Sequence, residues 1–181
     1  MGLRKASAYS RKIVRANTRK SKSKQKAYVK VVPPLKIVKF DAGNSKAYRE
    51  GKHPFLIRLV ALEKVQLRDN ALESSRMFIT KVMETNAPGQ FYFGVRVFPH
   101  HILRENKTAA GAGADRISSG MSHCFGISIG RAAIVKAGKD IFIVSCENEK
   151  TARIARDALI AIKSKLPCTS RILFEKVAVK Q

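Results

Sequence analysis

Residues 70–98 read NALESSRMFITKVMETNAPGQFYFGVRVF, and this stretch decides the class of fold. Leu72, Ser75, Arg76, Ile79, Val82 and Met83 recur at helical spacing, the pattern of a helix with one buried face. Asp69-Asn70 offers an N-cap, and Glu73 three residues on completes a capping box. Pro88-Gly89 ends the helix. The pattern then changes period. Phe91, Phe93, Val95 and Val97 alternate with Tyr92, Arg96 and Phe98, which is a strand. A helix that gives way at once to an alternating strand requires helices packed against a sheet.

The same two signals extend outward. Downstream, Arg131–Val135 and Asp140–Cys146 read as strands split by a turn at Ala137-Gly138. Asn148 caps a second helix running to about Lys165, with Ala155, Ala158, Leu159, Ile162 and Leu166 on its buried stripe. Pro167 stops it, and Arg171–Val179 closes the chain as a strand. Upstream, Phe55–Arg68 has strand composition. Pro33-Pro34 holds Val32 extended, Lys36–Phe40 reads as a short strand, and Asp41–Asn44 as a turn. Lys46–Pro54, with Arg49, Lys52 and His53, reads as a basic loop. Strands interleaved with two helices give an α+β fold, a mixed β-sheet with both helices on one side. No internal repeat is found at the usual periods.

Between the strands lies FPHHILRENKTAAGAGADRISSGMSHCFG, residues 98–126. It is too long for an ordinary connection, and loops beyond about 12–15 residues usually carry function or lack order. Gly111, Gly113 and Gly120, with Ala109, Ala110, Ala112 and Ala114, leave it little to bury. His100, His101, Arg104, Lys107 and Arg116 supply donors suited to phosphate oxygens.

The charge points the same way. Thirty-six Lys and Arg against thirteen Asp and Glu give a formal charge of +23, while the 45% hydrophobic content is that of a folded protein. Such a chain repels itself unless a polyanion neutralises it, and counterion release favours nucleic acid. Residues 1–39 hold thirteen Lys or Arg and no acid. The stretch lacks helical or strand periodicity, so residues 1–28 are expected to be a basic extension, disordered when alone, ahead of a single domain over 29–181. Tyr9 and Tyr28 set aromatic rings among its charges. No apolar run approaches the roughly 18 residues of a membrane span, and no apolar core follows the basic start, so no signal peptide is read.

Catalytic signals are weak. Residues 111–116, GAGADR, are superficially like a dinucleotide fingerprint, but the third glycine and a following helix are missing and Asp115 would repel a pyrophosphate. His100 and His101 point to opposite sides of an extended chain and do not share a metal; with His123 and Asp115 they have no metal-site spacing. Cys124, Cys146 and Cys168 lie far apart with no CxxC pair, as in a reduced cytosolic protein. No catalytic residue, metal or cofactor is expected. An RNA-modifying enzyme would need a nucleophile–base pair that the sequence lacks, and a DNA-compacting protein has only the basic extension to recommend it.

From Tyr28 onward the chain resembles a known family. The residues that carry the likeness are Val32-Pro33, Lys36–Asn44, Asn70–Arg76, Pro99–His101, Leu103–Lys107, Ala112–Arg116, Gly120-Met121, Phe125-Gly126 and Gly130. They are similar to the universal large-subunit ribosomal protein sixteen family in its archaeal and eukaryotic form, also called L-ten-e. The resemblance implies an α/β hammerhead-type fold and a structural role in translation. It implies large-subunit rRNA as partner, near the A-site cleft below the central protuberance, with neighbouring ribosomal proteins alongside. It also implies a loop over about 102–119 that reaches toward tRNA and the peptidyl-transferase region. No chemistry, membrane or homo-oligomer is implied, and the location is the cytoplasmic ribosome. The residues expected on rRNA are Arg4, Lys5, Arg11, Lys12, Arg15, Arg19, Lys20, Lys22, Lys24, Lys26, Lys46, Arg49, Lys52, His100 and His101. Those expected on the tRNA-facing loop are Arg104, Glu105, Lys107, Gly111, Gly113 and Arg116. The family's basic positions after Phe125-Gly126 are Ile127-Ser128-Ile129 and Ala133-Ile134-Val135 here, so their contacts do not transfer.

Overall fold

The computed structural model describes residues 5–10, 29, 31–105 and 126–177. Its ordered elements are β1 (Asp41–Gly43), α1 (Ser45–Arg49), β2 (Phe55–Ala61), β3 (Val65–Arg68), α2 (Asp69–Asn86), β4 (Phe91–Val95), β5 (His101–Glu105), β6 (Ile127–Val135), β7 (Asp140–Cys146), α3 (Glu149–Ile162) and β8 (Ser170–Lys176). The class is α+β, as expected. The sheet is divided in two, one with strand order β1-β4-β7-β2-β8 and one with order β3-β6-β5. Among the described strands every pairing is antiparallel.

The hydrophobic core lies between the larger sheet and the two long helices. Phe91 and Phe93 of β4, Ile57 and Leu59 of β2 and Phe142 of β7 face Leu72, Ile79 and Met83 of α2 and Leu159 and Ile162 of α3; all are fully buried. Each such side chain contributes about 1.5–3 kcal/mol by leaving water. α2 straddles the sheets, touching β1 and β4 of the larger and β3 and β6 of the smaller. Val65, Leu67, Ala133 and Val135 carry the core onto the smaller sheet.

Several elements depart from the sequence reading. Phe55–Arg68 is two strands in two sheets, separated by the exposed residues Leu62, Glu63 and Lys64. No strand forms over Lys36–Phe40; the chain pairs instead at Asp41–Gly43, through Ala42↔Phe93 and Gly43↔Tyr92. A turn composition becomes a strand there because Gly43 takes φ +82° and lets the backbone approach Phe91. The basic loop after it contains α1, because the Asn44 side chain accepts a bond from the Ala47 N–H at 3.0 Å. The capping box at α2 does not form. Glu73 is drawn to Arg76 at 2.6 Å and also accepts from the Val38 N–H, while Asp69 accepts from the Asn70 N–H. Asn148 precedes α3 as expected, but its side chain donates to Gln90 rather than capping the helix.

On the far face of the larger sheet, α1 and the residues after it meet β4 and β7. Tyr48 stacks on Tyr92 with ring centroids 4.2 Å apart. The Tyr92 hydroxyl donates to Asp41 at 2.6 Å, and burial with that carboxylate pushes its pKa up to about 12. Arg58 ties Asp140 of β7 to Glu175 of β8.

Candidate nucleic-acid interface

Of the residues expected on RNA, Lys5, Lys46, Arg49, Lys52, His100, His101, Arg104 and Glu105 are described. Arg4, Arg11, Lys12, Arg15, Arg19, Lys20, Lys22, Lys24, Lys26, Lys107, Gly111, Gly113 and Arg116 lie outside the described residues.

Lys46 and Arg49 stand exposed on α1, one helical turn apart. Lys52 is exposed too and pairs with Glu50 at 2.6 Å; that hydrogen bond and charge raise its pKa. Exposed Lys36 and Lys39 follow along the entry segment, and Arg96 and His100 stand exposed between β4 and β5. These residues sit on α1 and on the segments that flank the strands, an arrangement that presents charge from a folded frame. The cations that hold the domain together are different. Arg58 and Arg76 bind carboxylates, and Arg131 donates to the Pro33 carbonyl at 2.8 Å.

Two histidines turn inward. His53, read as part of the basic loop, is buried with its Nδ1 2.6 Å from the Ser145 hydroxyl oxygen. His101 is 6% exposed, and its Nδ1 meets the Gln66 side-chain oxygen across β6, in which His101 pairs with Ala132 and Gln66 with Ile134. Burial lowers the pKa of both rings, and for His101 the neighbouring His100 and Arg104 lower it further. A neutral, buried imidazole offers little to a phosphate, whereas His100 beside it is exposed.

Gln66 is also the anchor of the N-terminal segment. Its Nε2 donates to the Tyr9 carbonyl at 2.8 Å, and its backbone N–H donates to the Ser10 carbonyl at 2.9 Å. Arg68 donates to the Lys5 carbonyl at 3.1 Å and lies over the Tyr9 ring. Residues 5–10, expected to be structureless, therefore contain a 3-10 turn, Ala6–Tyr9, docked along the outer edge of β3. A lone glutamine in a strand gave no sequence signal for this.

The loop expected from about Ile102 starts later. His101–Glu105 is strand, paired with β6 from His101↔Ala132 to Glu105↔Ile127, with a register shift between Leu103 and Arg104. Arg104 and Glu105 are half-buried at the end of that ladder. The antiparallel pair holds Glu105 and Ile127 side by side.

Asp69, at the start of α2, is 3% exposed; burial raises its pKa, opposed by the charges of Lys36 and Arg131. Cys146 is buried and its thiol is pushed up to about 12, far from a reactive thiolate. Among the described residues no group of three metal-ligating side chains comes together, and no helix is long and apolar enough to cross a membrane. What the geometry provides is a rigid frame edged with cations, carrying at one side a paired-strand root for a long glycine-rich connection.

Comparison with known proteins agrees with this picture. The chain is 43% identical over 150 residues to the large ribosomal subunit protein uL16 of Thermofilum pendens, covering 82% of this chain and 86% of that one. It is 43% identical over 150 residues to that of Archaeoglobus fulgidus, covering 82% and 83%. It is 41% identical over 178 residues to that of Methanococcus maripaludis, covering 97% and 96%. Residues 15–173 match the family described as ribosomal protein L16p/L10e. The sequence likeness, the α+β frame and the exposed cations thus converge, and the chain belongs to the L16p/L10e family of ribosomal proteins.

Proposed function

We propose that this chain binds large-subunit rRNA beside the A-site cleft, below the central protuberance, and extends residues 106–125 toward tRNA and the peptidyl-transferase region. As an L16p/L10e protein it is a structural constituent of the large ribosomal subunit, not an enzyme, and works on the cytoplasmic ribosome with rRNA and other ribosomal proteins. The observation that carries the finer reading is the antiparallel root at Glu105↔Ile127, which brings the loop's ends together at one side of the domain. Lys5, Lys46, Arg49, Lys52 and His100, with the basic extension over residues 1–28, supply the rRNA-facing charge. Arg104, Lys107 and Arg116, with Glu105 beside Arg104 and Gly111 and Gly113 allowing close approach, form the tRNA-facing part. The protein acts as a single copy.

The test is hydroxyl-radical footprinting of large subunits that contain or lack this protein, with and without A-site tRNA. Protection of rRNA lining the A-site cleft, and a tRNA footprint that changes when residues 109–114 are deleted, is the expected result. Protection confined to a distant rRNA region would refute the location, and an unchanged tRNA footprint would refute the role of the loop.

A further inference from the structure

Among the described residues the aromatic side chains divide between the core and the surface. Phe91, Phe93 and Phe142 are almost wholly buried, yet Phe98 is 53% exposed. It is exposed on a firm base. Val97 and Pro99, on either side of it in the chain, are buried. Its ring stacks on that of Phe40, with centroids 5.6 Å apart and planes 22° from parallel. Phe40 is itself fixed, because its carbonyl accepts the Val95 N–H at 2.8 Å. The result is a nearly parallel aromatic pair whose outer member stands in solvent. Phe98 lies outside the buried core cluster, against which Phe40 packs.

In the chain the pair is flanked by the cations Lys39 and Arg96 and by the imidazole of His100. Lys39 precedes Phe40, Arg96 and His100 lie two residues on either side of Phe98, and all three are exposed. The nearest acid in the chain, Asp41, is engaged by the Tyr92 hydroxyl. An exposed aromatic face framed by cations suits a nucleobase that stacks while its flanking phosphates meet the charges. A protein side chain would favour a concave apolar seat; a cleft among the described residues, lined by Asn86, Gln90, Asn148, Thr151 and Ile154, lies away from the pair.

We infer that the Phe98–Phe40 stack is a platform for one unpaired RNA base, with Lys39, Arg96 and His100 holding the phosphates on either side. The inference rests on the RNA-binding reading above and adds to it a stacking site. Because stacking is a contact with the base and not with the charge, it separates cleanly from the electrostatic contribution of the rest of the surface.

The experiment uses the full-length protein and two probes, a short oligoadenylate and an abasic ribose-phosphate oligomer of equal length, over a series of salt concentrations. Phe98→Ala should weaken oligoadenylate binding by about 5- to 100-fold, the loss of one stacked base. It should leave the abasic probe and the slope of log affinity against log salt unchanged. Phe98→Trp should restore the affinity. Circular dichroism should show both variants folded, since the ring is largely outside the core. Equal losses on the two probes, or no loss on either, would overturn the platform while a normal salt slope left RNA binding in place. Reduced incorporation of Phe98→Ala into subunits with unchanged oligoadenylate affinity would assign the surface to a protein neighbour and also overturn it. Failure of the wild-type protein to bind either probe would sink both readings together.

Discussion

Replacing Gly43 by alanine should detach β1, and the cost can be worked from three glycines of similar conformation. Gly43, Gly89 and Gly138 have φ of +82°, +74° and +79°. Any side chain at such a φ costs about 1–2 kcal/mol. At Gly89 and Gly138 that should be nearly the whole effect, because an added Cβ meets nothing within 4 Å. At Gly43 the same Cβ would lie 2.3 Å from the Phe91 carbonyl oxygen and 3.0 Å from its ring. To reach an ordinary contact the two strands must part by about 1 Å, a strain on the order of 1–3 kcal/mol. Parting them also breaks the Asn44 N–H to Phe91 carbonyl bond, now 2.8 Å long, worth about 1 kcal/mol. The total is roughly 3–6 kcal/mol. For a domain of this size that lowers Tm by roughly 6–24 °C, against roughly 2–8 °C for the controls. Thermal and urea unfolding of the three alanine variants decide the matter. A Gly43→Ala variant no less stable than Gly89→Ala would refute the close approach of β1 to β4.

Replacing Arg11, Lys12, Arg19 and Lys20 by alanine should weaken rRNA binding alike across sequences. The slope of log affinity against log salt should flatten by somewhat under one unit for each phosphate no longer neutralised, as measured by filter binding. Deleting residues 109–114 should leave incorporation into large subunits intact and slow translation; gradient profiles paired with elongation rates test this, and failed incorporation would make the loop structural. Stability should fall as pH is lowered through and below about 6.5, because His53 and His101 have lowered pKa values when folded and the unfolded chain binds the extra protons. Their contribution is fully present above the unfolded pKa and lost below it. Urea midpoints between neutral and mildly acid pH should show that loss, and His53→Gln should make the dependence shallower.

What was legible in the sequence follows from where the decisive information lies. α3 declares itself because Ala155, Ala158, Leu159 and Ile162 keep helical phase and all four are buried. α2 does so through Leu72, Ile79 and Met83, and β4 through the alternation that begins with Phe91 and Phe93. The errors fall where a long-range partner overrides local preference. Asp41-Ala42-Gly43 has the composition of a turn and becomes a strand only because β4 is there to pair with it. Glu73 leaves the expected cap for Arg76 and Val38. His101 carries the same letter as His100, and burial alone separates a ring held against Gln66 from one in solvent. Net charge survives in composition, so the RNA-facing character is plain from the residue counts. The Phe40–Phe98 stack joins residues distant in the chain, and no local pattern announces it.

β3 passes into α2 without a spare residue, Arg68 ending the strand and Asp69 beginning the helix. That continuity makes assembly self-checking. If β3 slipped by one residue against β6, Val65 and Leu67 would leave the apolar side, as any strand slip reverses its faces. Since no linker can absorb the error, the helix would be dragged along and turned by about 100°, one residue of a helix with 3.6 per turn. Leu72, Ile79 and Met83 would then swing off the larger sheet. One mistake would thus be penalised twice, in two sheets at once, and a near-native trap with a single misplaced strand has no low-energy form. For a chain that must be made in step with every new ribosome, this joint gives fidelity where a more forgiving loop would have given only connection.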